Sequence, residues 1–296
     1  MPRVLITGAS GLLGRALVKE FTKASWEVLG LAYSRAGGVL KKVDLTDSLA
    51  VRNVLTEYKP AVVVHSAAER SPDVVEKQEG VARKINVDAS SLIASICDEI
   101  GAYMIYLSTD YVFDGKNAPY KPGDQPNPLN KYGQSKLDGE VAVQKHECSA
   151  TLRVPVLYGD VEYLEESAIT VLFKVLLDTS QPAAICDYQL RYPTHVQDIA
   201  AVCRQMADLY MKSPSAVKGI FHWSNDELVT KYSLMTMMAD IFHVKSDHIT
   251  AKKEPTGTPR PYNCQLDTTA LSDLGIGQKT KLRESIESCL QPYFEK

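Results

Sequence analysis

The sequence predicts a doubly wound α/β fold, in which helices cover both faces of a parallel sheet and a smaller C-terminal α/β lobe packs on it. Short runs rich in Val, Ile and Leu alternate with amphipathic stretches through the first 160 residues. Parallel strands need crossover connections, so this alternation is typical of a doubly wound sheet. A glycine-rich turn at residues 8–14 joins the first strand to the first helix, as such folds require.

The predicted elements follow in a regular order along the first half of the chain. The strands are rich in β-branched residues and poor in charge, whereas the helices repeat their apolar positions every three or four residues. We predict strands at residues 3–7, 27–33, 61–66, 104–108 and 151–156, and helices at residues 12–24, 48–58, 81–100 and 128–144.

The second half of the chain is less regular. We predict a first domain of residues 1–160 and a smaller lobe of residues 161–296, with some segments of the latter returning to the first domain. To the smaller lobe we assign a strand at residues 220–224 and a helix at 231–242, and residues 282–293 are predicted to form a closing helix. No low-complexity linker separates the halves, so we expect them to pack closely.

The composition is that of an ordinary globular protein. The 296 residues carry a formal net charge of −3, and hydrophobic residues make up 45% of them. This charge gives no reason to expect nucleic acid or a membrane as a partner, and no apolar run is long enough to span a bilayer. The six cysteines lack the spacing of a zinc or redox motif, and the chain enters a strand-like run at once instead of a secretory signal. We therefore expect a cytoplasmic protein with reduced thiols and no metal site.

Gly8, Gly11 and Gly14 lie where the first predicted strand meets the first helix. A chain that turns tightly, approaches a pyrophosphate with its backbone and packs a helix against a strand needs residues without Cβ at these points. The first turn of the helix then offers N–H groups and the positive end of its dipole to the phosphates. Plain structural turns also use glycines, but their place after the first strand of a β–α–β pattern favours a dinucleotide site.

The end of the second predicted strand indicates which dinucleotide is bound. An acidic residue there would hold the ribose 2′-hydroxyl of NAD, whereas a basic residue accommodates the 2′-phosphate of NADP. Tyr33, Ser34 and Arg35 stand at this point. An arginine fork can grip phosphate oxygens with two hydrogen bonds, so Arg35 favours NADP(H), the alternative being a solvated loop charge. Asp44 and Leu45 follow at the next predicted strand end, where the adenine edge would be met.

Tyr132 and Lys136 form a Y-x-x-x-K pattern on a predicted helix, which places both side chains on one face. A free tyrosine has a pKa of about 10, but a nearby ammonium group and the positive nicotinamide ring would lower it. Thr109, at the end of the fourth predicted strand, would hydrogen-bond a substrate carbonyl as hydride arrives. Y-x-x-x-K alone is common by chance, but together with the glycine turn these residues indicate an oxidoreductase site.

These motifs resemble those of the extended short-chain dehydrogenase/reductase family over nearly the whole chain. The matching segments are TGASGLLGR at residues 7–15, LSTDYVFDG at 107–115, YGQSK at 132–136, LRVPVLYG at 152–159 and RPYNCQLD at 260–267. Within that family, the STDYVFDG block and the late Arg-Pro pair are similar to dTDP-4-dehydrorhamnose reductases. That resemblance implies hydride transfer from NADPH to a nucleotide-linked keto-sugar, with Thr109, Tyr132 and Lys136 as the catalytic residues.

A further set of segments resembles the regulatory β subunits of methionine adenosyltransferase, which are non-catalytic relatives of the sugar reductases. These segments are HSAAERSPDVVE at residues 65–76, RYPTHV at 191–196 and FHWS at 221–224. The resemblance implies that the chain binds NADP(H) in its first domain and associates with the catalytic α subunit that makes S-adenosylmethionine. The cofactor-binding residues that the motifs and the resemblance together imply are Gly8, Ser10, Gly11, Leu12, Leu13, Gly14, Tyr33, Ser34, Arg35, Asp44, Leu45, Ser66, Arg70, Tyr132, Lys136 and Leu157.

Three functions are open at this point. The first is a regulatory subunit that binds NADP(H) and the α subunit without turnover of its own. The second is an NADPH-dependent reductase of a nucleotide-sugar ketone, which the intact Thr109, Tyr132 and Lys136 allow. An epimerase or dehydratase on the same fold is less favoured, because such enzymes retain their cofactor through the cycle and nothing in this sequence argues for that.

Two features bear on a partner. The β subunits continue into a basic, aromatic tail beyond the last helix, whereas this chain stops at residue 296. We therefore expect partner binding to be weaker or built differently if that tail takes part. Glu162, Glu165 and Glu166 form an acidic loop that we expect to be solvated, although a partner's basic surface could use it.

Overall fold

The computed structural model describes residues 1–255 and 257–295. In these ranges the strands are β1 Arg3–Thr7, β2 Glu27–Ala32, β3 Lys41–Lys42, β4 Val62–His65, β5 Tyr103–Thr109, β6 Ser149–Val154, β7 Leu157–Tyr158, β8 Ala183–Cys186, β9 Thr194–His195, β10 Gly219–His222 and β11 Ile249–Lys252. The helices are α1 Leu12–Lys23, α2 Ser48–Tyr58, α3 Pro72–Lys77, α4 Glu79–Arg83, α5 Ala89–Ile100, α6 Lys131–Val143, α7 Val171–Leu177, α8 Val196–Tyr210, α9 Lys231–Phe242, α10 Thr269–Ser272 and α11 Leu282–Phe294.

Seven of these strands form one parallel sheet, in the order β10-β6-β5-β4-β1-β2-β3. The chain runs outward from β1 through β2 to β3, then returns to β4 on the other side of β1 and continues to β10. The strand order therefore reverses between β1 and β4, which is where ligands enter an open α/β sheet. The predicted fold class is confirmed.

Two apolar cores pack against opposite faces of this sheet, because successive side chains of a strand point to opposite sides. On β1, Val4 and Ile6 face the core that contains helices α1 and α8, whereas Leu5 faces the core that contains α2 and α5. A third apolar cluster joins α7, α9 and α11 around Phe173 and Phe242, away from the main sheet. This cluster belongs to the second half of the chain, while the domain division at residue 160 stays a prediction.

The structure corrects three predicted elements. The strand expected in the smaller lobe at residues 220–224 is β10, which pairs with β6 at the edge of the main sheet. The strand expected at 151–156 ends at Val154, because Pro155 has no N–H to donate to a ladder. The helix expected at 81–100 is interrupted by a π-helical turn at Lys84–Asp88. There the side-chain amide of the buried Asn86 accepts a hydrogen bond from the backbone N–H of Glu69. It donates hydrogen bonds to the backbone carbonyl oxygen of Glu69 and to the hydroxyl of Ser135.

None of the helices within residues 1–255 and 257–295 is long and apolar enough to cross a membrane.

Candidate functional site

A cavity of about 700 Å³ opens where the carboxyl ends of the central strands meet, at the point where the strand order reverses. Every residue that the sequence predicted for cofactor binding or catalysis lines it. These residues are Gly8, Ser10, Gly11, Leu12, Leu13, Gly14, Tyr33, Ser34, Arg35, Asp44, Leu45, Ser66, Arg70, Thr109, Tyr132, Lys136 and Leu157. The sheet brings them together because the ends of parallel strands share one edge; their binding of a cofactor stays a prediction.

The glycine turn packs too tightly for side chains. Gly8 has a φ of +67°, and a Cβ on Gly14 would lie 2.0 Å from the carbonyl oxygen of Gly8. The backbone N–H of Gly11 donates to that same oxygen at 2.9 Å, which closes the turn. Helix α1 starts directly after Gly11, so its free N–H groups and positive dipole end face the cavity. The turn therefore offers a backbone cradle for an anionic group.

Arg35 lines the cavity just after β2, in an exposed loop where its guanidinium is paired with two carboxylates. Its Nη1 is 2.5 Å from Glu162 Oε2 and 3.2 Å from Glu166 Oε1. Its side chain is 40% exposed, so the guanidinium still reaches solvent and the cavity. Arg35 stays in reach of a phosphate at this end of the cavity, but it already has carboxylate partners.

The acidic loop that was expected to be solvated is only partly so. Glu165 is exposed, as predicted for a solvated loop, and it pairs with Lys174. The Glu166 side chain is 2% exposed, and Arg15 holds its two carboxylate oxygens at 2.8 and 2.7 Å. Burial by itself would raise the pKa of Glu166, but the hydrogen bonds from Arg15 and from the backbone N–H of Glu162 outweigh it and lower the pKa to about 2. The expectation of a solvated side chain is wrong for Glu166, because these donors replace its water.

Tyr132 and Thr109 both line the main cavity. Burial raises the pKa of the Tyr132 phenol, and the nearby Thr109 side chain lowers it only in part. The sequence argument expected the Lys136 ammonium to lower that pKa. In the protein's own environment desolvation prevails, so Tyr132 stays a protonated phenol at neutral pH.

Lys136 is buried at 3% exposure, one helical turn from Tyr132. Its Nζ lies 4.1 Å from the centre of the Tyr106 ring, which places the ammonium against an aromatic face. Burial lowers the pKa of Lys136 to about 7, and the nearby carboxylate of Glu140 offsets this only in part. Lys136 is therefore poised to exchange a proton near neutral pH.

A second, smaller cavity of about 120 Å³ adjoins the first and shares Tyr111 and Val156 with it. Three cationic side chains line it: Arg191, Lys231 and Arg260. Burial lowers the pKa of Lys231, and the two arginines lower it further. This cavity therefore concentrates positive charge next to the Tyr132 end of the main cavity. The described residues contain no group of three or more His, Cys, Asp or Glu side chains that could hold a metal ion.

A family model described as the RmlD substrate binding domain matches residues 2–294. The chain belongs to this family. The RmlD-family chain is 49% identical over 295 residues to the methionine adenosyltransferase 2 subunit beta of Xenopus laevis, covering 99% of the chain and 88% of that protein. The subunit beta of Danio rerio is 45% identical over 297 residues, 98% of the chain and 91% of that protein. The resemblance to the β subunits that the motifs indicated is thus confirmed.

Solved structures agree on the fold of the RmlD-family chain. The dTDP-4-dehydrorhamnose reductase of Bacillus anthracis str. Ames in complex with NADP superposes with a TM-score of 0.84 at 24% identity, covering 99% of both chains. A hypothetical dTDP-4-dehydrorhamnose reductase from Sulfolobus tokodaii superposes with a TM-score of 0.82 at 27% identity, covering 96% of this chain and 98% of that one.

Sequence reasoning did not assign Arg15 or Glu166 to this site, although it named Glu166 as part of an acidic loop. Arg15 follows the last glycine of the turn, and its Nη1 also donates to the carbonyl oxygen of Ser10 at 3.0 Å. Glu166 comes 151 positions later. No local pattern relates the two, because only the packing of the loop after β7 on the glycine turn brings them into contact.

Proposed function

We propose that the protein is an NADP(H)-binding regulatory subunit of a methionine adenosyltransferase, acting in the cytosol. In this role it associates with the catalytic α subunit and modulates S-adenosylmethionine synthesis without turnover of its own. The observation that carries the proposal is identity of 49% to proteins named as this enzyme's β subunit, over 99% of the chain. The free thiols of its six cysteines support a reducing compartment.

The cavity supports NADP(H) as the bound dinucleotide. The close approach of Gly14 to Gly8 leaves a surface of bare backbone at the start of α1, which suits a pyrophosphate. Tyr33, Ser34 and Arg35 would hold the adenosine ribose and its 2′-phosphate, with Asp44 and Leu45 beside the adenine. The nicotinamide would then lie toward Tyr132, Lys136 and Leu157. When bound, the cofactor supplies or accepts hydride.

Complex formation with the α subunit tests the proposal. Purified protein is mixed with the catalytic α subunit at micromolar concentration, with and without NADPH, and the assembly is measured by sedimentation. The expected result is a hetero-oligomer and a changed rate of S-adenosylmethionine formation. Gly14→Ala, which blocks the phosphate cradle, reports whether the cofactor is needed for association, with Gly37→Ala as a neutral control because a Cβ there meets nothing within 4 Å. The absence of a complex with NADPH present would contradict the proposal.

A second function has support of its own, the NADPH-dependent reduction of a nucleotide-linked keto-sugar. Thr109, Tyr132 and Lys136 meet in the main cavity, beside a smaller cavity whose arginines and lysine suit a diphosphate. A protonated Tyr132 phenol can donate its proton to a carbonyl oxygen that Thr109 orients, and Lys136 can replace that proton.

The reductase function is tested by following NADPH oxidation with dTDP-4-dehydrorhamnose. Activity that disappears in Tyr132→Phe, with unchanged NADPH affinity, would establish it. If NADPH is not oxidised even at high protein concentration, the reductase function is contradicted and only the regulatory function remains.

A further inference from the structure

Three arginines converge on one glutamate at the edge of the main cavity. Arg15 binds both carboxylate oxygens of Glu166, and Arg35 binds one of them at 3.2 Å. Arg70 donates from Nη2 to the backbone carbonyl oxygen of Glu166 at 2.5 Å. Arg35 and Arg70 both line the cavity, so groups that face the cofactor are also partners of Glu166.

The donors around Glu166 are those that a phosphate would use. An arginine fork binds carboxylate and phosphate in the same planar, two-pronged geometry. Arg35 is the basic residue at the end of β2, where a 2′-phosphate distinguishes NADP(H) from NAD(H). The Glu166 carboxylate therefore already occupies part of the coordination that the 2′-phosphate would require.

We propose that Glu166 competes with the cofactor's 2′-phosphate for Arg35 and thereby sets how strongly the site prefers NADP(H) over NAD(H). The inference rests on the proposed function, because it presupposes that the cavity binds a nicotinamide dinucleotide. It assigns specificity to a residue outside the glycine turn and the β2 end, in the loop of residues 160–166.

Electrostatics explain why the competition affects only the phosphorylated cofactor. Glu166 is ionised throughout the neutral range, because its pKa is lowered to about 2. A phosphate monoester brings roughly −1.5 to −2 charges at pH 7, so it meets a like charge at Arg35 unless the carboxylate withdraws. The 2′-hydroxyl of NAD(H) carries no charge and meets no such opposition.

The 160–166 loop has contacts through which a withdrawal of Glu166 can be detected. The backbone N–H of Glu162 donates to Glu166 Oε2 at 3.0 Å, so this amide loses its acceptor if the carboxylate moves. The residue before Glu162 is also held, because the backbone carbonyl oxygen of Val161 accepts a hydrogen bond from the hydroxyl of Tyr293 of α11 at 2.5 Å. A shift of the loop would therefore reach the C-terminal helix.

Binding measurements on variants in which a glutamate carboxylate is replaced by an uncharged amide test the inference. The dissociation constants of NADPH and NADH are measured by calorimetry for the wild type, for Glu166→Gln and for Glu165→Gln, whose exposed carboxylate pairs with Lys174 instead. We expect Glu166→Gln to bind NADPH at least about fivefold more tightly, NADH to change less than about twofold, and Glu165→Gln to match the wild type. Glu162→Gln removes the negative charge of the exposed partner of Arg35. It should also tighten NADPH binding, but by less than Glu166→Gln does. This variant provides the test if Glu166→Gln does not fold.

The possible results separate this inference from the proposed function. Weaker NADPH binding in Glu166→Gln, or equal tightening of NADPH and NADH, overturns the inference while wild-type NADPH binding still stands. Failure of both the wild type and the variants to bind NADPH overturns both. Hydrogen exchange gives an independent readout: NADPH, unlike NADH, should speed exchange of the Glu162 amide, and unchanged or slower exchange would contradict the withdrawal of Glu166.

Discussion

The ammonium group of Lys136 lies 4.1 Å from the centre of the Tyr106 ring. Tyr106 belongs to β5, and its hydroxyl donates to the backbone carbonyl oxygen of Asn86 at 3.3 Å, so the ring is fixed by the core of the sheet. The aromatic face compensates in part for the water that the buried ammonium loses. This relationship explains how a lysine that is only 3% exposed is kept in the lining of the cavity.

Lys136 should make the stability of the protein depend on pH. Burial lowers its folded-state pKa to about 7, below the ordinary value of 10.5, so the unfolded chain binds the proton more tightly. The penalty for burying the charge is thus present in full below pH 7 and disappears as the pH rises toward 10. Between pH 6 and 9, the free energy of unfolding of the wild type should rise by about 3 kcal/mol relative to Lys136→Met.

Urea denaturation at several pH values checks this prediction. Lys131→Met provides the control, since Lys131 lies on the same helix but is exposed and pairs with Glu79. Parallel pH curves for the wild type and Lys136→Met would show that Lys136 titrates as an ordinary lysine.

Arg35→Ala should weaken the binding of NADPH more than that of NADH. The variant loses a charged, two-pronged donor for the 2′-phosphate, which corresponds to roughly tenfold in the dissociation constant or more. NADH should lose less than about threefold, because its 2′-hydroxyl needs no cation. Arg52→Ala is the matched control, because Arg52 also pairs with an exposed glutamate, Glu99, but does so on α2. Equal losses for the two cofactors would place the 2′-phosphate elsewhere.

Gly14→Ala should destabilise the protein although Gly14 lies in a helix, where alanine is normally favoured by up to about 1 kcal/mol. The new Cβ would lie 2.0 Å from the carbonyl oxygen of Gly8, so the backbone of the turn must move. We expect a loss of about 2–3 kcal/mol and of dinucleotide binding. Gly37→Ala should leave both unchanged within about 0.5 kcal/mol. Thermal unfolding and calorimetry measure the two effects; a stable Gly14→Ala that binds NADPH normally would mean that the turn adapts.

Arg153→Met should be strongly destabilising because it leaves a carboxylate buried without its partner. Arg153 and Glu140 are 2% and 1% exposed, and Arg153 Nη2 lies 2.7 Å from Glu140 Oε2. Breaking such a pair costs about 3–5 kcal/mol, whereas replacing both members by apolar residues costs much less. The double variant Arg153→Met, Glu140→Met should therefore recover most of the loss in urea denaturation. Additive losses in the double variant would show that the two side chains act independently.

Local sequence patterns were sufficient where a segment's neighbours in the sequence govern its structure. The observed bounds of β1, α2 and α9 coincide with those predicted, because a continuous apolar run forms β1 and caps such as Asp47 and Thr230 start the helices within a few residues. Pro155 shortened β6 and is itself a local signal. The pairing of β10 with β6 was not predictable in this way, since a short apolar run does not specify which sheet it joins.

The sequence by itself predicted the doubly wound fold and many of the residues that line the cavity, because strand ends in a parallel sheet meet at one edge whatever the loops do. Only the tertiary structure decided the electrostatic state of that cavity. The contact of Arg15 with Glu166 spans 151 positions, and burial sets the pKa of Lys136. Long-range ion pairs and desolvation depend on which surfaces pack together. They can therefore be determined from the tertiary structure but not from a local sequence pattern.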